Sequence, residues 1–73
     1  MGIRKLRNEI GRKVKNLRLE KGLSQEKLAE YVDMSREHIS CIERGKHLVT
    51  IETLYKLAKY FDIDIKYFFS YFE

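Results

Sequence analysis

Two serines, Ser24 and Ser35, constrain the fold of this chain more than any other feature. Each precedes a helical pattern, where a serine side chain accepts a hydrogen bond from an unpaired amide of the first turn. Apolar residues at helical spacing follow both serines: Leu28, Ala29 and Val32, then Ile39 and Ile42. This pattern therefore predicts that residues 24–44 form two short helices joined by a three-residue turn.

The second of these helices has a narrow apolar seam, because Ile39 and Ile42 are its only strongly apolar residues. The opposite face carries a polar stripe of residues at helical spacing: Arg36, Glu37, Ser40, Cys41 and Arg44. An arginine can hold guanine by two hydrogen bonds in the major groove, and a carboxylate can accept one from cytosine N4. The polar stripe therefore indicates a surface that contacts DNA.

From about Ile10 to Phe69 the chain resembles the lambda-repressor-like, or Xre-type, helix-turn-helix family. The matching residues are Gln25, Ala29 and the run Ile39-Ser40-Cys41-Ile42-Glu43-Arg44-Gly45. Ala29 also has a physical reason, since a larger side chain would separate two helices that cross steeply. Asp33 departs from the family, which usually has glycine in this turn, but aspartate tolerates a left-handed backbone better than most residues.

The resemblance implies an all-α, five-helix lambda-repressor-like domain that acts alone as a homodimeric transcriptional regulator, with helix 35–44 in the major groove of an inverted-repeat operator. It assigns base reading to Arg36, Glu37, Ser40 and Cys41. Phosphate contact falls at helix ends and in the following loop, at Gln25, Ser35, Arg44, Lys46 and His47. It also pairs Glu43 with Arg18, which makes Glu43 structural; no second acid, histidine or metal constellation is spaced for catalysis with it.

Positive charge is concentrated in the first helix. Residues 1–22 hold eight of the fifteen Lys and Arg against two glutamates, so this segment carries +6 in a chain of net charge +4. With the helix-turn-helix pattern, this favours phosphate contact, and a solvated helix face is the alternative. Gly11 interrupts the pattern, which predicts that regular helix begins near Asn8 and leaves Arg4, Lys5 and Arg7 on a basic arm, residues 1–8, that contacts phosphates.

The apolar face of this first helix is needed to close the core: Ile3, Leu6, Ile10, Val14 and Leu17. A basic amphipathic helix lying on a membrane is the other interpretation, which that need disfavours. The helix should end at Gly22, the residue type that accepts a left-handed helix end.

Aromatic residues are concentrated at the other end of the chain, where eight of the nine lie between Tyr55 and Phe72. Helix four should start at Thr50 and bury Ile51, Leu54, Leu57, Ala58 and Phe61, and helix five should start at Asp64. Tyr67, Phe69, Tyr71 and Phe72 exceed what a small core needs, so residues 64–73 are predicted to form a dimer interface. The alternative is that these rings cover the lower core.

The sequence offers few candidate residues for catalysis or metal binding, and neither an enzyme nor a cofactor is expected. His38, Cys41 and His47 could supply metal ligands, but one cysteine is too few for a typical structural zinc site, so no metal is predicted. Cys41 could act as a thiol sensor beside Arg44 and His38, or more simply contact a thymine methyl group. With no bilayer-spanning apolar run or signal peptide, residues 1–73 are expected to form one cytoplasmic domain.

Double-stranded DNA is thus the expected partner, with a possible protein partner and no membrane. The sequence does not separate a phage-type repressor, a restriction-modification controller and an antitoxin. An antitoxin or adaptor would use the C-terminal aromatic residues to bind another protein, with DNA binding secondary.

Overall fold

The computed structural model describes residues 2–47 and 49–70, in which the regular elements are all helices, without a strand in either range. Four α-helices follow one another: α1 (Ile3–Glu20), α2 (Gln25–Tyr31), α3 (Arg36–Glu43) and α4 (Ile51–Phe61). A 3-10 helix, Ile65–Phe69, follows α4. The all-α prediction is confirmed, but the fifth helix is five residues of 3-10 helix, not an α-helix.

Side-chain caps set the helix starts where the sequence predicts them. The Oγ atoms of Ser24 and Ser35 each accept a hydrogen bond of 3.0 Å, from the backbone amides of Lys27 and His38 respectively. Thr50 caps α4 in the same way. Between α2 and α3, Asp33 has a φ of 58° and takes the left-handed conformation that the turn requires.

The prediction of a basic arm at residues 1–8 ahead of the first helix is wrong. Helix α1 already begins at Ile3 and carries Arg4, Lys5 and Arg7 in its first two turns. Gly11 does not interrupt the helix. A Cβ atom at Gly11 would meet the backbone carbonyl oxygen of Ile42 and would lie 2.8 Å from that of Glu43. Gly11 therefore lets α1 pass close to the end of α3, a tertiary requirement that a local pattern does not reveal.

The core takes buried apolar side chains from every helix: Ile10, Val14, Leu28, Ala29, Val32, Ile39, Ile42, Leu54, Leu57, Ala58, Phe61 and Phe68. The predicted core residues Leu6 and Leu17 pack against this core but are only partly buried. Two others, Ile3 and Ile51, do not belong to it. Ile3 is 53% exposed and Ile51 is 67% exposed. Each is the first residue of its helix, and the core does not extend to it. In the ranges described, no helix is long and apolar enough to cross a membrane.

Lys13 holds the 3-10 helix against α1. Its Nζ donates hydrogen bonds to the backbone oxygen of Tyr67 at 2.8 Å and to Ser70 Oγ at 3.0 Å. Lys13 is 6% exposed, which is rare for a lysine unless its ammonium group is hydrogen-bonded. Phe68, fully buried, completes the attachment.

Candidate nucleic-acid interface

Helix α3 carries the polar stripe on one side and two anchoring isoleucines on the other. Ile39 and Ile42 are 0% and 1% exposed and pack in the core. Arg36 and Glu37 are exposed, while Ser40 and Cys41 are half-buried on the same side. The structure thus brings the four predicted base-reading residues together on one accessible face.

Arg44, the last residue of the polar stripe, lies back along α3. Its Nε is 3.4 Å from the backbone oxygen of Ser40, and its Nη2 is 3.8 Å from Cys41 Sγ. The guanidinium group therefore adds a positive charge beside Cys41, at the C-terminal half of the stripe. Its predicted phosphate contact remains a prediction.

A buried hydrogen-bond network fixes the C-terminal end of α3. Glu43, whose side chain is 3% exposed, accepts from Arg18 Nε at 2.6 Å and from Arg18 Nη2 at 3.0 Å. Gln25 Nε2 donates to the same carboxylate at 3.0 Å, and Arg18 Nη1 donates to the backbone oxygen of Leu23 at 2.7 Å. The bidentate pair gives the contact a defined direction. We call this set of residues the Glu43 network.

The Arg18–Glu43 pair is the one that the family resemblance implies, but the part played by Gln25 was missed. Gln25 was assigned to phosphate contact alone, whereas its side-chain amide nitrogen is directed at Glu43. Sequence periodicity offers no signal for this bond, since it joins two helices and spans 18 residues.

The start of α1 and the loop after α3 are neighbours. A Cβ atom at Gly45 would lie 3.2 Å from Asn8 Cα, so the backbone of this loop passes directly over α1. Arg4 and Lys5, one turn before Asn8, are exposed, as are Lys46 and His47. Arg7 is half-buried, and its Nε has no hydrogen-bond partner among the described residues. Basic side chains from two distant parts of the sequence thus gather beside the end of α3.

Ser35, Glu37, His38, Cys41 and His47 line a shallow depression at the edge of the polar stripe. His38 and His47 thus approach Cys41, as the metal hypothesis required. Even so, the described part of the chain contains no group of three metal-ligating side chains arranged to hold an ion.

The predicted dimer residues are placed unequally. Tyr67 is 40% exposed, and Lys13 Nζ lies 5.0 Å from the centroid of its ring. Phe69 is half-buried and packs against the core, while Tyr71 and Phe72 lie outside the described residues. Ile51 and Tyr55, which were not predicted as exposed apolar surface, are 67% and 57% exposed and lie one turn apart on α4.

Comparison with known proteins places this architecture in a family. A family model described as helix-turn-helix matches residues 14–68. A helix-turn-helix transcriptional regulator of Rickettsia conorii is 35% identical over 68 residues, covering 93% of this chain and 54% of that protein. The control protein C.BamHI of Bacillus amyloliquefaciens is 45% identical over 51 residues, covering 68% of this chain and 63% of that protein. The chain spans about half the length of the relatives from Rickettsia conorii and Rickettsia prowazekii, 54% and 52%.

Solved structures agree with this assignment. The restriction-modification controller protein C.AhdI from Aeromonas hydrophila has a TM-score of 0.84 at 31% identity, with 93% of this chain and 99% of that chain covered. The controller protein C.Esp1396I, as a tetramer in complex with its natural 35 base-pair operator, has a TM-score of 0.76 at 36% identity, with 88% and 84% covered. The chain therefore belongs to the helix-turn-helix family of transcriptional regulators, of the lambda-repressor-like (Xre) type.

Proposed function

We propose that this chain binds double-stranded DNA sequence-specifically and regulates transcription as a homodimer, with α3 in the major groove of an inverted-repeat operator. The observation that carries the proposal is that one side of α3 is anchored in the core while the other side is accessible to solvent. Ile39, Ile42 and the Glu43 network anchor it, while Arg36 and Glu37 remain exposed. A rigid helix with accessible hydrogen-bonding side chains is what direct base readout requires.

Phosphate contacts would come from the basic groups beside α3. Lys46 and His47 lie in the loop after α3, and Arg4 and Lys5 lie on the adjacent first turn of α1. Such contacts position a protein on the duplex and make its affinity depend on salt. Ser35 supports the same role, because it begins α3 and helix N-termini attract phosphate oxygens.

A second protomer would supply the other half of the reading surface, because one recognition helix contacts too few base pairs to be selective. The related controller C.Esp1396I is a tetramer on its operator, which supports an oligomeric arrangement. Ile51, Tyr55 and Tyr67 provide exposed apolar surface for a dimer contact in the described residues, in addition to the predicted Phe69, Tyr71 and Phe72. Two-fold pairing would set the two α3 helices roughly 34 Å apart on the DNA.

The test begins with selection of a preferred site from a random duplex library, followed by anisotropy titrations on the selected and random duplexes. Arg36→Ala should lose about 1 to 3 kcal/mol on the selected site and relax its base preference. Lys46→Ala should weaken binding to both duplexes alike and reduce the salt slope by about one. Arg12→Ala is the matched control, because Arg12 is already paired with Glu9 at 2.9 Å on exposed α1 surface. Equal losses of Arg36→Ala on both duplexes would refute base reading by α3.

The dimer is tested separately by sedimentation without DNA. Ile51→Ser with Tyr55→Ser should give a folded monomer with weaker operator binding, because both side chains are exposed and contribute little to the core. Phe69→Ser with Phe72→Ser tests the predicted C-terminal segment. Because Phe69 packs against the core, a double variant that unfolds would assign these rings to the core and not to a dimer contact. If the unmodified protein is monomeric at micromolar concentration without DNA, the proposed dimer is wrong.

A further inference from the structure

An aromatic depression lies at the C-terminal end of α2, away from the polar stripe. Tyr31, 52% exposed, stacks on Tyr60 of α4 with ring centroids 5.6 Å apart and an interplanar angle of 21°. The depression beside this pair has a volume of about 320 Å³. Its lining comes from the end of α2 and the outer face of α4: Tyr31, Val32, Asp33, Lys56, Lys59 and Tyr60.

Lysines surround this depression. Lys56 and Lys59 form part of its wall, and Lys21 Nζ lies 5.8 Å from the centroid of the Tyr60 ring. Among the described residues, Asp33 is the one acidic member of the lining. The lining itself holds two ammonium groups and one carboxylate, and Lys21 adds a positive charge beside Tyr60. This balance favours an anionic occupant, and the exposed ring of Tyr31 offers an apolar or aromatic group a surface to pack on.

Val32 is the core residue in this lining, and none of the lining residues is among those proposed to contact DNA. Tyr31 ends α2, whereas Gln25, which belongs to the Glu43 network, begins it. Six residues of α-helix separate them by about 9 Å. The depression is also open to solvent, while sites for small molecules enclose most of the ligand. An open, half-apolar surface of this kind suits a side chain projecting from a macromolecule.

We propose that this depression docks an acidic segment of a partner protein. One aromatic or large aliphatic side chain of the segment packs against Tyr31, and its carboxylates pair with Lys56, Lys59 and Lys21. A protein segment fits better than single-stranded nucleic acid, which tracks a row of stacking platforms in a positive groove. Here Tyr60 is already stacked on Tyr31, and Asp33 would repel a continuous phosphate chain. A regulator bound to DNA through α3 would keep this surface free for the partner.

The test uses the whole chain without DNA, so its result does not depend on the proposed DNA binding. The probe is a short peptide of aspartate and glutamate with one central phenylalanine, titrated while backbone amide chemical shifts are followed. Saturable shifts should cluster at Tyr31 to Asp33 and Lys56 to Tyr60. Lys56→Ala with Lys59→Ala should weaken the affinity for the peptide about fivefold, which is the effect expected for two partly exposed charge pairs. Lys15→Ala with Lys66→Ala, both exposed lysines elsewhere, is the charge-matched control and should not weaken it.

The aromatic contact has its own variants. Tyr31→Ala should weaken binding of the peptide, whereas Tyr31→Phe should bind it as the unmodified protein does. Circular dichroism should show that both variants are folded. A probe with alanine in place of its phenylalanine should also bind more weakly. Shifts spread over the whole surface, or equal losses in the two double-lysine variants, would overturn the proposal. It would equally be overturned if oligothymidylate of matched length bound the same residues more tightly than the peptide.

Discussion

Two buried cations of α1 hold two different parts of the molecule, and they do so differently. Arg18 joins the end of α3 through two hydrogen bonds to a buried carboxylate, and Gly11 brings the two backbones together nearby. Lys13 joins the 3-10 helix through a backbone oxygen and a hydroxyl oxygen. A guanidinium fork fixes direction, whereas an ammonium group donates from a flexible stem with three rotatable hydrogens. The orientation of α3 is therefore fixed more tightly than that of the 3-10 helix.

The largest expected effect comes from breaking the Glu43 network. Arg18→Ala should cost about 3 to 5 kcal/mol of unfolding free energy, because it leaves a buried carboxylate without its counter-charge. Urea unfolding measures this cost, and Arg12→Ala, which removes an exposed arginine, should change little. Removing both charges by Arg18→Met with Glu43→Leu should recover much of the stability but not the base discrimination. If the double variant kept full discrimination, the pair would not orient α3.

Gly11→Ala tests the other half of the α3 attachment. The new methyl group would meet the carbonyl oxygens of Ile42 and Glu43, which are backbone atoms and cannot turn aside. Overpacking of this kind costs about 1 to 3 kcal/mol. Gly2→Ala is the matched control, since no atom of the described residues beyond its chain neighbours lies within 4 Å of a Cβ atom at that position. Equal unfolding free energies for the two variants would show that α1 and α3 have room to separate.

Lys13→Met should have a smaller and more local effect. Methionine keeps the apolar stem of the side chain but loses the hydrogen bonds to Tyr67 and Ser70, and we expect a cost of about 1 kcal/mol. Hydrogen exchange should accelerate at the amides of residues 67–70 and stay unchanged in α3. Lys15→Met, on the exposed side of the same helix, is the control. Faster exchange throughout α3 would mean that the two attachments are not independent.

The smallest effect concerns an exposed pair. The hydrogen bond from Arg12 lowers the pKa of Glu9 below its ordinary value. A lowered folded-state pKa means that the contribution to stability is present at neutral pH and lost as the pH falls through that pKa. The melting temperatures of the protein and of Glu9→Gln should therefore differ slightly at neutral pH and converge in acid. A difference that grew in acid would contradict this pair.

Features decided locally were predictable from the sequence. Ser24, Ser35 and Thr50 begin helices because a hydroxyl three residues before a free amide can cap it wherever the helix packs. Ile39 and Ile42 were recognised as buried because helical periodicity selects one face. The polar stripe on the opposite face follows from the same periodicity.

Features decided by distant parts of the chain were not predictable in this way. Gly11 was predicted to interrupt the helix because local sequence shows only a glycine within a helical pattern. The reason for the glycine is a contact with backbone about thirty residues further on. Lys13, one of the eight basic residues of segment 1–22, binds acceptors 54 and 57 residues away, which no local pattern indicates. Ile51 fits the apolar pattern of α4, but whether a helix end is covered depends on the whole fold. The family resemblance supplied the Arg18–Glu43 pair, which periodicity alone would not have identified.

The Glu43 network holds α3 at the end opposite to Arg36, and simple geometry gives this a consequence for recognition. Seven residues of helix place the backbone of Arg36 about 10 Å from that of Glu43. A rotation of about 10° at Glu43 would displace Arg36 by about 2 Å, more than half of the 3.4 Å rise between base pairs. If Arg36 reads a base as proposed, substitutions around Arg18 and Gln25 would alter which base it reads without touching DNA, so sequence preference would be adjustable from inside the protein.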